Sequence, residues 1–320
     1  MRKITKLLLF LTFAVSANLY SQNRIEYFYL RNKAEVQIVR SNYDSALVLY
    51  QKAFDMKGYI HSRDLFNAAI CAAKTPQKNR DLGIKYLEML SHNGVAKHTM
   101  YKSCFKPLRK GDLWKKTKKT FKRNIKNARS LWNDSLKLVL KKLVKRDQEF
   151  RLKPGSYSVY GDTILYLDSL NIEELKKIIS IYGYPNEQII GKKRHLAKNL
   201  NHYVIIRHYY QNKGFEMSKI LYNEVKKGNL SPRVFCELED KKNTEINNHD
   251  KYGTVIFFNL NGKEIKQNYS AKEIKTFNKN RRELGLESIE EYIEKIIFMR
   301  KNTPFDFNIY EGEVTVISAK

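Results

Sequence analysis

Five polar side chains of types that do chemistry stand out in the sequence: Asp147, Gln148 and Arg151 about one helical turn apart, then His208 and Tyr252. An aspartate beside a histidine can act as an acid–base pair, and a neighbouring arginine or tyrosine can steady developing negative charge. That pocket reading requires His208 to lie within hydrogen-bond reach of a carboxylate and to be open to solvent. The same set can instead close into a buried polar network that fixes helix packing. Other chemistries find less support. His195, His202 and His208 are spaced by seven and six residues, which does not bring three imidazoles to one helix face. A zinc helix would need an i, i+4 pair and a third ligand. Cys71, Cys104 and Cys236 are odd in number and have no Cys or His at ligand spacing, so neither a dense disulfide framework nor a metal site is expected. A phosphate-cradling glycine loop and a nucleophile elbow are both missing. Glu173/Glu174 and Glu290/Glu291 read as helix-start acids that favour the macrodipole. The expectation is a chain with no cofactor and no catalytic signature, leaning away from an enzyme.

Charge offers a second chemistry. The net charge is +27, and residues 106–153 hold eighteen basic against four acidic side chains, so about half the excess lies in that short segment. Such a field attracts an anionic polymer or an acidic membrane surface, with Lys115, Lys116, Lys118 and Lys119 as candidate contacts. The plainer reading is a solvated, lysine-rich helix face. Sequence-specific nucleic-acid binding is not expected, because neither arginine forks nor a recognisable reading module is present.

The elements that must carry these groups begin with a leader. Arg2, Lys3 and Lys6 precede an apolar core from Leu7 to Ala17, so residues 1–21 read as a signal peptide cut after Ser21 in preference to Ala17, and the mature protein as periplasmic or secreted. The core is too short to span a bilayer, and no Cys follows it to take a lipid. Residues 22–105 read as helical hairpins. Ala46, Leu49, Tyr50, Ala53 and Phe54 share one helical face, which Gly58 should end; Ser62 should cap the next helix, and Thr75-Pro76 should break it. Asp44, Ala46, Tyr50 and Ala53 recur as Asp81, Gly83, Leu87 and Leu90 at an offset of 37, and Ala34 and Ala69 pair at 35. These offsets resemble two degenerate tetratricopeptide-like repeats, whose period is about 34 residues.

Residues 106–153 form a basic amphipathic connector. Its stripe of Phe121, Ile125, Ala128, Trp132, Leu136, Val139 and Leu143 steps by threes and fours, with a break at Asn133-Asp134. Residues 154–320 form an α-rich domain. Asn171 to Glu174 reads as a capping box. Further helices fit His195–Gln211, Phe215–Lys227 (stopped by Gly228), the stretch after Ser231-Pro232, Ser270–Leu284 and Ser288–Asn302. A β-hairpin turns at Asn261-Gly262, and Phe305 to Ser318 reads as a short β pair. The fold class expected is therefore mostly α: helical-hairpin repeats, a long basic helix, then an α-rich domain with a small β-hairpin element.

Residues from about 147 to 255 resemble an uncharacterised bacterial domain met in exported proteins, sometimes behind tetratricopeptide-like repeats. The resemblance rests on Asp147-Gln148 with Arg151, Tyr182-Gly183-Tyr184-Pro185, Gly191, His208 with Gln211, Gly228 with Pro232, and Tyr252-Gly253-Thr254. The sequence departs from the family at Asp240-Lys241, where an Asp-Arg pair is usual, and at Val255, where a Gln is usual. It implies an architecture and no activity. The functional expectation is an exported, non-catalytic interaction or scaffold protein that meets a protein partner through its repeats. The alternatives are a hydrolase-like enzyme using the polar cluster, and an electrostatic binder of an anionic envelope polymer or membrane surface.

Overall fold

The computed structural model describes residues 24–192, 202–211, 216–247, 249–254, 257–259, 265–266, 269–301, 303–307 and 316–317. The leader and His195 lie outside them. The fold is mostly α. Helix α1 (24–39) turns Tyr27, Phe28, Arg31, Ala34, Glu35 and Ile38 inward at helical spacing. Then come α2 (Tyr43–Phe54), α3 (Ser62–Lys74), α4 (Pro76–His92), two 3-10 turns (Lys97–Tyr101 and Ser103–Leu108) and α5 (Gly111–Ser130), packed in succession. Helix α3 is the centre of this first core, buried from Leu65 through Ala73. Its small residues permit that: a Cβ on Gly83 of α4 would come within 2.8 Å of Ala72 and of Leu108. Pro76 opens α4 at a position where its missing N–H costs nothing. Ser62 does not cap α3. It is the first helical residue, and its N–H is taken instead by Glu187 Oε1 at 2.6 Å, from the other half of the molecule.

The basic segment is two helices, not one. α5 lays Trp114, Phe121 and Ile125 on the first core, while α6 (Asp134–Glu149) lays Leu136, Leu140 and Leu143 on a second. Asn133 makes the break by accepting the Leu136 N–H at 2.8 Å as the cap of α6. Trp132 is wedged at this joint. Gly94 and Gly191 both have positive φ, and a Cβ on either would sit 2.5 or 2.0 Å from the indole. The second core adds α7 (Ser156–Tyr182), α8 (Glu187–Ile190), α9 (Tyr203–Gln211), α10 (Met217–Lys227) and α11 (Pro232–Asn247). Gly228, at φ +77°, ends α10.

The capping box expected at Asn171 is absent because α7 runs straight through it. Asn171 is fully buried and its side chain accepts from Arg146 Nε at 2.6 Å, while Glu174 pairs with the same guanidinium at 3.0 Å. Helices α12 (Ala271–Glu283) and α13 (Ile289–Arg300) each start with a Ser–Glu capping box, at Ser270/Glu273 and Ser288/Glu291. The chain then returns to the first core. Lys33 pairs with Glu291 at 2.9 Å, Lys295 is buried against Glu35, and Phe305 and Phe307 join the first cluster. The boundary read at residue 153/154 is thus crossed by packing in both directions. Strands β1 (Phe257–Asn259), β2 (Ile265–Lys266) and β3 (Val316–Ile317) are two or three residues long. β1 runs antiparallel to β2, with Phe257 opposite Lys266, and parallel to β3, with Phe258 opposite Val316. Phe305–Phe307 therefore serve the core, in place of the first half of the terminal β pair expected there.

Candidate functional site

The structure brings four of the five sequence-selected polar residues together where α6, α7 and α9 meet. His208 Nδ1 lies 2.9 and 3.0 Å from the two Asp147 oxygens, and Gln148 Nε2 donates to Asp147 at 2.5 Å. Arg151 donates to the Asp147 carbonyl at 2.6 Å and to Asp168 Oδ2 at 2.6 Å. Asp168 is the member that sequence reading missed. An acid one turn before Ile172 and two before Leu175, on the apolar stripe of α7, was the signal available. Burial raises the Asp168 carboxyl, against the pull of the Arg151 guanidinium. The side chains of Asp147 and Asp168 are 1% exposed and that of His208 is 15%. Tyr252 belongs elsewhere: its N–H donates to Asp240 Oδ1 at 2.8 Å, its ring packs against Phe235, and its carbonyl accepts from Arg281 at 3.2 Å. The four residues with Asp168 form an enclosed knot, the geometry of a packing device.

Lys115, Lys116, Lys118 and Lys119 are all exposed on α5, with Lys115 paired to Asp112 at 3.0 Å. Among the described residues no group of three or more His, Cys, Asp or Glu side chains is arranged to hold a metal ion. All three cysteines are free, and burial raises the thiols of Cys71 and Cys236.

Two features were not singled out in the sequence. The first is a clamp on α3. Asn67, fully buried, donates from Nδ2 to the Asp306 carbonyl at 2.7 Å and accepts the Asp306 N–H on Oδ1 at 2.9 Å. One carboxamide thereby satisfies both backbone groups of one residue, as a neighbouring strand would. One turn earlier, Arg63 Nε stands 3.2 Å from the Asp306 carboxylate. Burial lowers the Arg63 pKa, but the Asp306 charge outweighs it and the guanidinium is held above its ordinary range. Phe305 stacks on Tyr43 and Phe307 on Phe298, so residues 303–307 lie as a strap on α2 and α3, backed by α13.

The second is a cavity of about 320 Å³ between the two cores. One wall comes from α1 and the start of α3; the other comes from Lys137 of α6 and residues 184–192, 202–203 and 229–234. None of the knot residues lines it. Glu187 sits in its wall with a side chain 9% exposed. Burial raises the Glu187 carboxyl, but His61 at 3.7 Å, the Lys192 charge and the Ser62 N–H outweigh that and hold it at about 2.

Comparison with protein-family models, with curated proteins and with solved structures finds no match, so any functional reading rests on this geometry.

Proposed function

We propose that this is an exported, non-catalytic interaction protein whose first five helices form a tetratricopeptide-like array that takes extended peptide segments on its inner face. The observation that carries the reading is the Asn67 clamp. A side-chain amide that pairs with both polar groups of a peptide unit recognises backbone irrespective of side chain, and Arg63 and Tyr43 add a preference for an acid flanked by aromatics. The strap of residues 303–307 supplies the matching ligand in cis. A protein partner must compete with a tethered segment whose effective concentration is on the order of millimolar.

The test uses the full mature chain and a labelled peptide with the sequence of residues 300–310. Fluorescence anisotropy should show weak binding to the wild type and saturable binding to a Phe305→Ala/Phe307→Ala variant with a loosened strap. Adding Asn67→Ala should remove that binding again. No binding to the loosened variant, with its helical circular dichroism intact, counts against the proposal.

A second reading is favoured by one feature, the exposed lysine face of α5, which carries Lys115, Lys116, Lys118 and Lys119 with Asp112 as their one paired acid. It would hold an anionic envelope polymer or membrane surface by Coulomb attraction. The hydrolase-like alternative rests on Asp147 and His208, and the enclosure of that pair leaves it the weakest of the three.

A further inference from the structure

We infer that the cavity between the two cores is a binding site for a small organic anion, with a carboxylate or phosphate head and an apolar body. The inference is independent of the array reading. Two cations on the cavity walls are buried without a direct ion pair among the described residues. Lys192 is 7% exposed and Arg31 is 5% exposed, and both line the cavity. Among the described residues neither has a carboxylate oxygen within 4.0 Å, whereas Arg63 on the same wall is matched by Asp306. Arg31 makes one long hydrogen bond, to Asn32 Oδ1 at 3.4 Å, and lies over the Phe28 ring at 5.0 Å; its Nε is buried with no partner. His61 Nε2, also on the wall, is buried and unpartnered in the same way.

A buried charge is best met by an opposite charge in direct contact, so an ammonium and a guanidinium without a direct ion pair on one cavity suit an anionic ligand. The acids on the lining, Glu187 and Asp64, are outnumbered by Arg31, Arg63, Lys137 and Lys192. Glu187 is engaged by the Ser62 N–H at 2.6 Å, and Asp64 accepts the Tyr27 hydroxyl at 2.5 Å. Burial, reinforced by the Arg63 charge, lowers the Lys192 pKa against the opposing pull of Glu187, Asp306 and Asp64. The rest of the lining sets the body of the ligand. Phe28, Tyr184, Pro185, Ile190, Leu230 and Val234 give apolar walls, and the volume is at the small end of the range for small-molecule sites. Because the walls come from both cores, a bound ligand would tie them together.

The experiment titrates the full mature chain with phenyl phosphate, benzoate and benzyl alcohol, by calorimetry and by thermal shift. Phenyl phosphate or benzoate should bind saturably at one site per chain and raise the Tm, and whichever binds more tightly identifies the head group. Benzyl alcohol, which has the ring without the charge, should not bind. Lys192→Gln and Arg31→Gln should each weaken binding about tenfold or more, the loss of one charge-assisted contact. Lys192→Gln should keep the helical circular dichroism and a cooperative melt, so that its loss of binding is read on a folded protein. Absence of saturable binding by both anions would overturn the proposal, as would equal affinity for benzyl alcohol or unchanged affinity in Lys192→Gln.

Discussion

At the scale of single residues, buried charge decides what each group can do. Asp147 holds His208 and Arg151 at the α6–α7–α9 junction, so Asp147→Asn removes the anion and leaves a guanidinium facing Asp168 alone. The expected cost is about 2–4 kcal/mol of unfolding free energy in a urea titration, with the helical spectrum retained below the transition. An unchanged midpoint would mean the knot does not fix the helices. Glu187 gives a prediction with a sign. Its folded pKa of about 2 lies below the ordinary 4.5, so its contribution is fully present above pH 4.5 and is lost as pH falls towards 2. Glu187→Gln should therefore lose on the order of 3 kcal/mol at neutral pH, and the two proteins should converge near pH 2. Parallel stability curves across that window would refute the assignment.

At the scale of elements, local signals were legible where local chemistry acts alone. Gly228 stops α10, Pro232 opens α11, Thr75-Pro76 ends α3, and the apolar stripe through Phe121 and Leu143 marks two inward faces. Asn171 misled because a capping box and a buried Arg146 clamp use the same residue types, and only the continuity of α7 separates them. Asn67 with Asp306, 239 residues apart, left no pattern at all: a clamp on backbone asks nothing of the side chain it holds. The cavity was illegible for the same reason, since its walls come from segments that no periodicity relates. The exposed face of α5 yields a prediction of its own. Changing Lys115, Lys116, Lys118 and Lys119 to Gln should leave the Tm within about 2 °C, as surface substitutions do. If the face is functional, the same change should abolish retention on anionic vesicles or polysaccharide, and wild-type retention should fall steeply with salt. Equal retention by both proteins at physiological salt would assign the face to solvation.

At the scale of the whole molecule, the two cores are locked by Trp132 between Gly94 and Gly191, by Glu187 on the start of α3, by α1 on Gly228 and Gly285, and by α13 with the strap over α1 and α3. Gly191→Ala forces a Cβ to within 2.0 Å of the indole at a positive φ, so it should destabilise by more than about 3 kcal/mol and loosen the joint. A melt indistinguishable from wild type would show that the wedge is not what holds the cores. The proposed export has a test at this scale too: terminal sequencing of the protein from a cell-envelope fraction should begin at Gln22, and an intact Met1 in the cytosol would contradict it. In the proposed array, α3 holds an extended backbone through Asn67, with residues 303–307 as its resident ligand. Amide hydrogen exchange of that strap tests it most directly, in the full chain, in Asn67→Ala, and in wild type with excess peptide of residues 300–310. The account predicts a protected Asp306 amide in the wild type, and exchange faster by about tenfold or more in the variant and in the peptide-saturated protein. The same exchange rate in all three samples would contradict it.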